Sequence, residues 1–125
     1  MPYSITYNQE KHCIWIIVEG ELSLALLQEM ARDAGKLTQQ HGCKRILNDL
    51  RHARPTADTL AIYNMPKTAE QSGVGIRCKR ALIVGDQADD FHFLETAFVL
   101  QGHSVKIFAT LQDGEAWLFN EDKEK

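Results

Sequence analysis

Three short runs rich in aliphatic and β-branched residues, Lys44–Leu50, Ala81–Gly85 and Val105–Phe108, are spaced by segments with helical periodicity. This spacing constrains the chain more than any other feature. Antiparallel neighbours can be joined by a tight turn, but parallel neighbours need a crossover of about a dozen residues or more, usually a helix. Repeated strand–helix units therefore predict an α/β fold with a mostly parallel sheet and right-handed crossovers. The chain has 125 residues, enough for one domain that buries a core without disulfides. The expected domain covers residues 1–120, with Glu121–Lys125 as a charged, frayed tail.

Upstream, Tyr3–Tyr7 alternates apolar residues with Ser and Thr, the period of a strand with one wetter face. Asn8–Lys11 reads as a hairpin turn, and Cys13–Val18 is a continuous apolar run expected to be covered on both faces and closed by Gly20. This hairpin adds an antiparallel edge and brings the sheet to five strands. Ser23 is a candidate cap for a helix with its stripe at Leu26, Leu27, Met30, Ala34 and Leu37, ended by His41-Gly42.

After the central strand, Arg51–Asp58 reads as a loop, with Thr56 or Asp58 capping the next helix. That helix is expected over Thr59–Asn64, broken or kinked at Met65-Pro66 and continued to Ser72. Asp89 or Asp90 caps a helix with Phe91, Leu94, Ala97, Phe98 and Gln101 on one stripe, widened by Phe93 and Leu100. Gln112–Phe119 closes the fold.

Hydrophobic residues at 44% and charged residues at 25% argue for a folded globular chain. A net charge of -3 gives no electrostatic reason for a nucleic-acid or anionic-membrane partner, although Arg77, Lys79 and Arg80 form a local basic exception. Cys13, Cys43 and Cys78 have no C-x-x-C spacing and apolar neighbours, so they read as buried thiols in a reducing compartment. The N-terminus lacks signal-peptide character, and no run approaches the ~20 apolar residues of a membrane span. A cytoplasmic protein is expected.

The order β-β-α-β-α-β-α-β-α, with Asn48-Asp49-Leu50-Arg51, Ile83-Val84-Gly85-Asp86 and Val105–Phe108 followed by Glu115-Ala116-Trp117-Leu118, resembles the SpoIIAA-like family. That resemblance implies the STAS-type fold of anti-sigma-factor antagonists and kinship with CRAL-TRIO lipid-binding domains. It further implies a regulatory, protein-binding role without catalysis. Anti-sigma antagonists carry an Asp-Ser-Ser-Gly-type phosphorylation loop after the central strand. Here that stretch reads Arg-His-Ala-Arg-Pro-Thr-Ala-Asp, with neither a serine pair nor a glycine.

No nucleophile, nucleotide loop or metal-ligand spacing reaches motif quality, so no catalytic residue, cofactor or metal is expected. A receiver-type reading with Asp49 as phosphoacceptor and Lys106 as its lysine lacks the acidic pair, since Glu19-Gly20-Glu21 is poorly spaced. Asp49 and Asp86 end parallel strands at the edge where open α/β sheets bind ligands, as an acid–base or metal pair or as acceptors for loop amides. Arg51, His52 and Arg54, followed by Thr56, could hold a small anion with the next helix N-terminus, or stand as a solvated loop paired to carboxylates. Leu60, Ile62, Tyr63 and Met65, with Phe91, Phe93 and Phe98, could line an apolar ligand pocket or form a homodimer face, or simply be core. The leading expectation is a module that binds another protein or itself. A carrier for a small apolar or lipid-like ligand is the alternative.

Overall fold

The computed structural model describes residues 3–56, 59–75 and 77–120. Asp58, the tail Glu121–Lys125 and the side chain of Leu60 therefore lie outside the described residues. Strands β1 (Tyr3–Asn8), β2 (Cys13–Leu22), β3 (Arg45–Pro55), β4 (Lys79–Ile83) and β5 (Ser104–Phe108) form one sheet in the order β1-β2-β3-β4-β5. β1 runs antiparallel to β2, and every later pair is parallel. This is the α/β architecture that the strand–helix spacing predicts. Helices α1 (Leu24–His41), α2 (Thr59–Gln71), α3 (Ala88–Leu100) and α4 (Leu111–Leu118) fill the connections and the C-terminus. Among the described residues no helix is long and apolar enough to cross a membrane.

The sheet has unequal faces. One buries Ile14, Ile46, Leu50 and Leu82 in a large core with Met30 of α1, Met65 of α2 and Phe91 of α3. The other holds a smaller cluster of Cys13, Leu47, Ala81 and Ile83 with Leu118. Among the described residues, α4 is the helix that contributes to that smaller cluster, and it packs on β3, β4 and β5. Thus Cys13, Ile14, Ile16 and Val18 are buried, while Ile17 is 41% exposed, so the expected two-sided cover of β2 is incomplete. All three cysteines are free and buried. Burial pushes the Cys13 thiol up to about 12, which keeps it protonated at neutral pH.

Ser23 caps α1 by accepting from the Leu26 amide at 3.2 Å, and Gly42 closes it at φ 60. The buried stripe of α1 runs Leu26, Met30, Ala34, Gly35 and Thr38. Gly35 is there for clearance: a Cβ on it would lie 1.7 Å from the Ser72 carbonyl oxygen just past α2. The two helices therefore approach closely at their C-terminal ends.

Three local expectations need correction. α2 does not break at Pro66 but runs through it, with Pro66 among the fully buried side chains. An interior proline costs about 3 kcal/mol, and burying Ile62, Met65, Pro66 and Ala69 on one side of the helix offsets it. α3 starts at Ala88 behind Gln87, so Asp89 and Asp90 sit in its first turn, where carboxylates favour the helix dipole, rather than at the cap. Finally, Arg51–Pro55 is strand rather than loop, because β3 continues alongside β2 as far as the Leu22–Pro55 pair.

Candidate functional site

The parallel order places the C-terminal ends of β2, β3 and β4 side by side. Between β2 and β3 the register slips: Ile17 faces Asp49, yet Glu19 faces His52. Three steps on β3 match two on β2, so β3 carries a bulge. A bulge re-aims the side chains that follow it. Before it, Ile46, Asn48 and Leu50 face the large core at alternate positions; after it, Ala53 faces that core while His52 and Arg54 are exposed. Without the extra residue the alternation would turn His52 and Arg54 inward.

These residues open onto a groove of about 450 Å³ lined by Gly20, Arg51, His52, Ala53, Arg54, Asp86 and Gln87. Gln87 ties its two walls together, donating from its side-chain amide to the Arg51 carbonyl at 3.0 Å. Arg51 is itself committed. Its Nε donates to Asp49 Oδ1 at 2.9 Å and its Nη2 to Oδ2 at 2.7 Å, and its backbone N–H adds 3.2 Å to Oδ1. The Arg51 side chain holds the Asp49 carboxyl below the usual carboxylate range, and Asp49 raises the arginine in turn. Arg54 has only a loose contact with Glu21 at 3.8 Å, with both side chains largely exposed.

Of the residues singled out from the sequence, Arg51, His52, Arg54 and Asp86 thus meet in one groove. Asp49 supports it through Arg51 without lining it. Thr56 follows β3, exposed, with its N–H donating to the Leu22 carbonyl at 3.0 Å. Among the described residues no group of three or more His, Cys, Asp or Glu is placed to hold a metal ion.

The apolar candidates separate. Ile62, Met65, Phe91 and Phe98 are core. Tyr63 (42% exposed) and Phe93 (38%) face solvent and pack edge to face at 5.1 Å, and Leu100 is 71% exposed. Met65 and Phe98 also line a partly open cavity of about 80 Å³ between the sheet and α1, α2 and α3, walled mainly by aliphatic side chains.

Sequence reasoning missed a buried polar chain at that cavity. Arg80, one of the local basic cluster with Arg77 and Lys79, is 6% exposed and lines the cavity. Its Nη2 donates to His103 Nδ1, and His103 Nε2 donates to Glu70 Oε2 at 2.8 Å. The guanidinium also lies 4.6 Å over the Phe98 ring. Burial lowers the Arg80 pKa to about 10, so it stays charged at neutral pH. Burial also lowers His103, consistent with a neutral ring that accepts on one side and donates on the other. The available signal was parity: Cys78, Leu82 and Val84 alternate inward, and Arg80 falls on the same phase.

No protein-family model and no curated protein matches this sequence. Solved structures do match, at low identity. An anti-sigma factor antagonist from Mycobacterium paratuberculosis aligns with TM-score 0.61 at 13% identity, over 93% of this chain and 93% of that one. An uncharacterised protein with a SpoIIAA-like fold from Shewanella loihica gives 0.60 at 16% identity, over 93% and 91%. The anti-sigma factor antagonist SpoIIAA in its unphosphorylated form gives 0.53 at 12% identity, over 89% and 92%. The chain therefore has the SpoIIAA-like, STAS-type α/β fold.

Proposed function

We propose that this protein is a non-enzymatic regulatory module of the cytoplasm that binds another protein through the groove at the C-terminal ends of β2, β3 and β4. The observation that carries this reading is the β3 bulge. It turns His52 and Arg54 outward beside Asp86, while the Asp49 fork fixes Arg51 in place. A rigid rim of alternating charge suits a polar protein surface, because complementary charges steer encounter and fix register. The fold shared with anti-sigma factor antagonists supports the same role. The stretch around Thr56 lacks the serine pair of a phosphorylation loop, so docking here works without a kinase switch of that kind. The test is affinity capture from the host with wild type and Arg54→Glu, followed by reconstitution of the purified pair. A partner that binds both forms equally would refute the groove as the docking site.

Two companion readings rest on separate observations. The Tyr63, Phe93 and Leu100 patch on α2 and α3 supports a homodimer, since exposed aromatic patches mark interfaces and twofold pairing is the commonest assembly. Sedimentation should give a wild-type dimer that Phe93→Asp and Tyr63→Asp dissociate; a monomer at micromolar concentration ends that reading. The cavity supports a small apolar ligand, the role implied by the CRAL-TRIO resemblance.

A further inference from the structure

Seven elements, β2 to β5 and α1 to α3, wall the pocket with aliphatic side chains such as Met30, Ile46, Met65, Leu82 and Leu94. Such a chamber alone would take any small apolar molecule or remain dry. Two polar residues break the apolar lining, Asn48 at 8% exposure and Arg80 at 6%. Among the described residues, no carboxylate contacts the Arg80 charge directly. Its nearest negative partner, Glu70, is reached only through the His103 ring. One donor remains unused as well, because the buried Arg80 Nε–H has no hydrogen-bond partner. A buried cation with a free donor is costly unless something compensates it. A guanidinium edge is the side chain best matched to a carboxylate.

We infer that the cavity between the sheet and α1, α2 and α3 is a binding site for a short aliphatic monocarboxylate, with its chain among Met30, Met65 and Leu82 and its carboxylate on Arg80. The size sets the chain length. One water claims about 30 Å³, so a volume of about 80 Å³ suits a chain of roughly three carbons and not a long acyl chain. The positive charge at Arg80 selects a carboxylate over an alcohol or amine of the same length. His103 accepts from Nη2 and Glu70 accepts from His103, which leaves the Nε–H without a protein partner. This inference rests on the reading of the cavity as an apolar-ligand site and is independent of the groove, with which the cavity shares no lining residue.

The experiment titrates the full chain with sodium butanoate, butan-1-ol and butylamine at pH 7.5, by calorimetry and by following the ¹³C-labelled methionine methyls. Met30 and Met65 line the cavity, which makes their methyls position markers. Butanoate should bind at least tenfold more tightly than butan-1-ol, shift both of those methyls and leave Met1 unmoved, and butylamine should not bind. Ala69→Leu, which fills the chamber from α2, should abolish binding, and Arg80→Met should erase the preference for the acid. Equal affinity for acid and alcohol, with both methyls shifted, would overturn the carboxylate assignment and keep the apolar site. Failure of all three probes, or binding that moves neither methyl, would overturn both. The comparison of probes within wild type decides the matter even if Arg80→Met does not fold.

Discussion

Arg51 and Arg80 stand on neighbouring parallel strands, and the protein treats their charges in opposite ways. Arg51 lies at the C-terminal end, with its side chain 42% exposed, and holds a carboxylate two residues away with two side-chain donors. Its ion pair is local and reached by water. Arg80 lies near the start of β4, buried against Phe98, and reaches its carboxylate only through an intervening neutral imidazole. An exposed pair contributes little to stability because solvent screens it and flexible side chains lose entropy. A buried charge is expensive to place, and more expensive to strand. The first arrangement suits a rim that must be rigid yet open to a partner. The second concentrates unspent electrostatic potential beside an apolar chamber.

The largest expected effect follows from stranding Arg80. His103→Ala removes the sole bridge to Glu70 and should cost about 3 kcal/mol of unfolding free energy in urea. A loss below about 1 kcal/mol would mean that the buried charge is solvated some other way. The next test removes the charge together with its bridge. Arg80→Met with His103→Leu should recover most of that loss and end within about 1 kcal/mol of wild type, since apolar replacement of buried ionic groups is often neutral or better. If the double variant is as unstable as His103→Ala, packing rather than charge is what His103 supplies.

The two arginines also show what can be read from residues and what cannot. The sheet was legible because strand–helix spacing permits few topologies, and the caps at Ser23 and Gly42 follow from local chemistry. Arg51, His52 and Arg54 drew notice as a cluster before Pro55. The same run nevertheless reads as loop, because a bulge depends on the register of β2 and leaves no mark in the β3 sequence alone. Arg80 was hidden by company. Beside Arg77 and Lys79 it looks like solvated basic surface, and arginine is rarely fully buried. Its partners Glu70 and His103 come from the end of α2 and the turn before β5, so no spacing rule joins them. Gly35 is similar, since its need for a missing side chain is set by Ser72, 37 positions later.

Acid should distinguish the two arrangements at different pH. Burial lowers His103 in the folded protein below its ordinary 6.5, so the unfolded chain takes up that proton first as pH falls. Stability should be flat in this group above about 6.5 and decline through the window just below it. The double variant lacking His103 should show no such decline. A wild-type curve that rises on acidification through that window would contradict a neutral ring between Arg80 and Glu70.

The smallest effect belongs to the groove. Asp49→Asn keeps the shape of the Arg51 fork but removes its charge, and should cost only about 0.5–1 kcal/mol, because one partner is well exposed. The folded-state pKa of Asp49 is depressed from 3.8, so its contribution is present above that value and is lost as pH falls toward the folded pKa. Added salt should shrink the Asp49→Asn difference, whereas the His103→Ala loss should persist at high ionic strength, since buried charges are screened far less. The contrast then becomes a single experiment of urea midpoints for both variants at low and at molar salt. If salt erases the His103→Ala penalty as readily as the Asp49→Asn one, Arg80 sees solvent and the two arginines are not opposites. If Asp49→Asn costs several kcal/mol at either salt, the fork stabilises β3 beyond the bulge as well as fixing the rim.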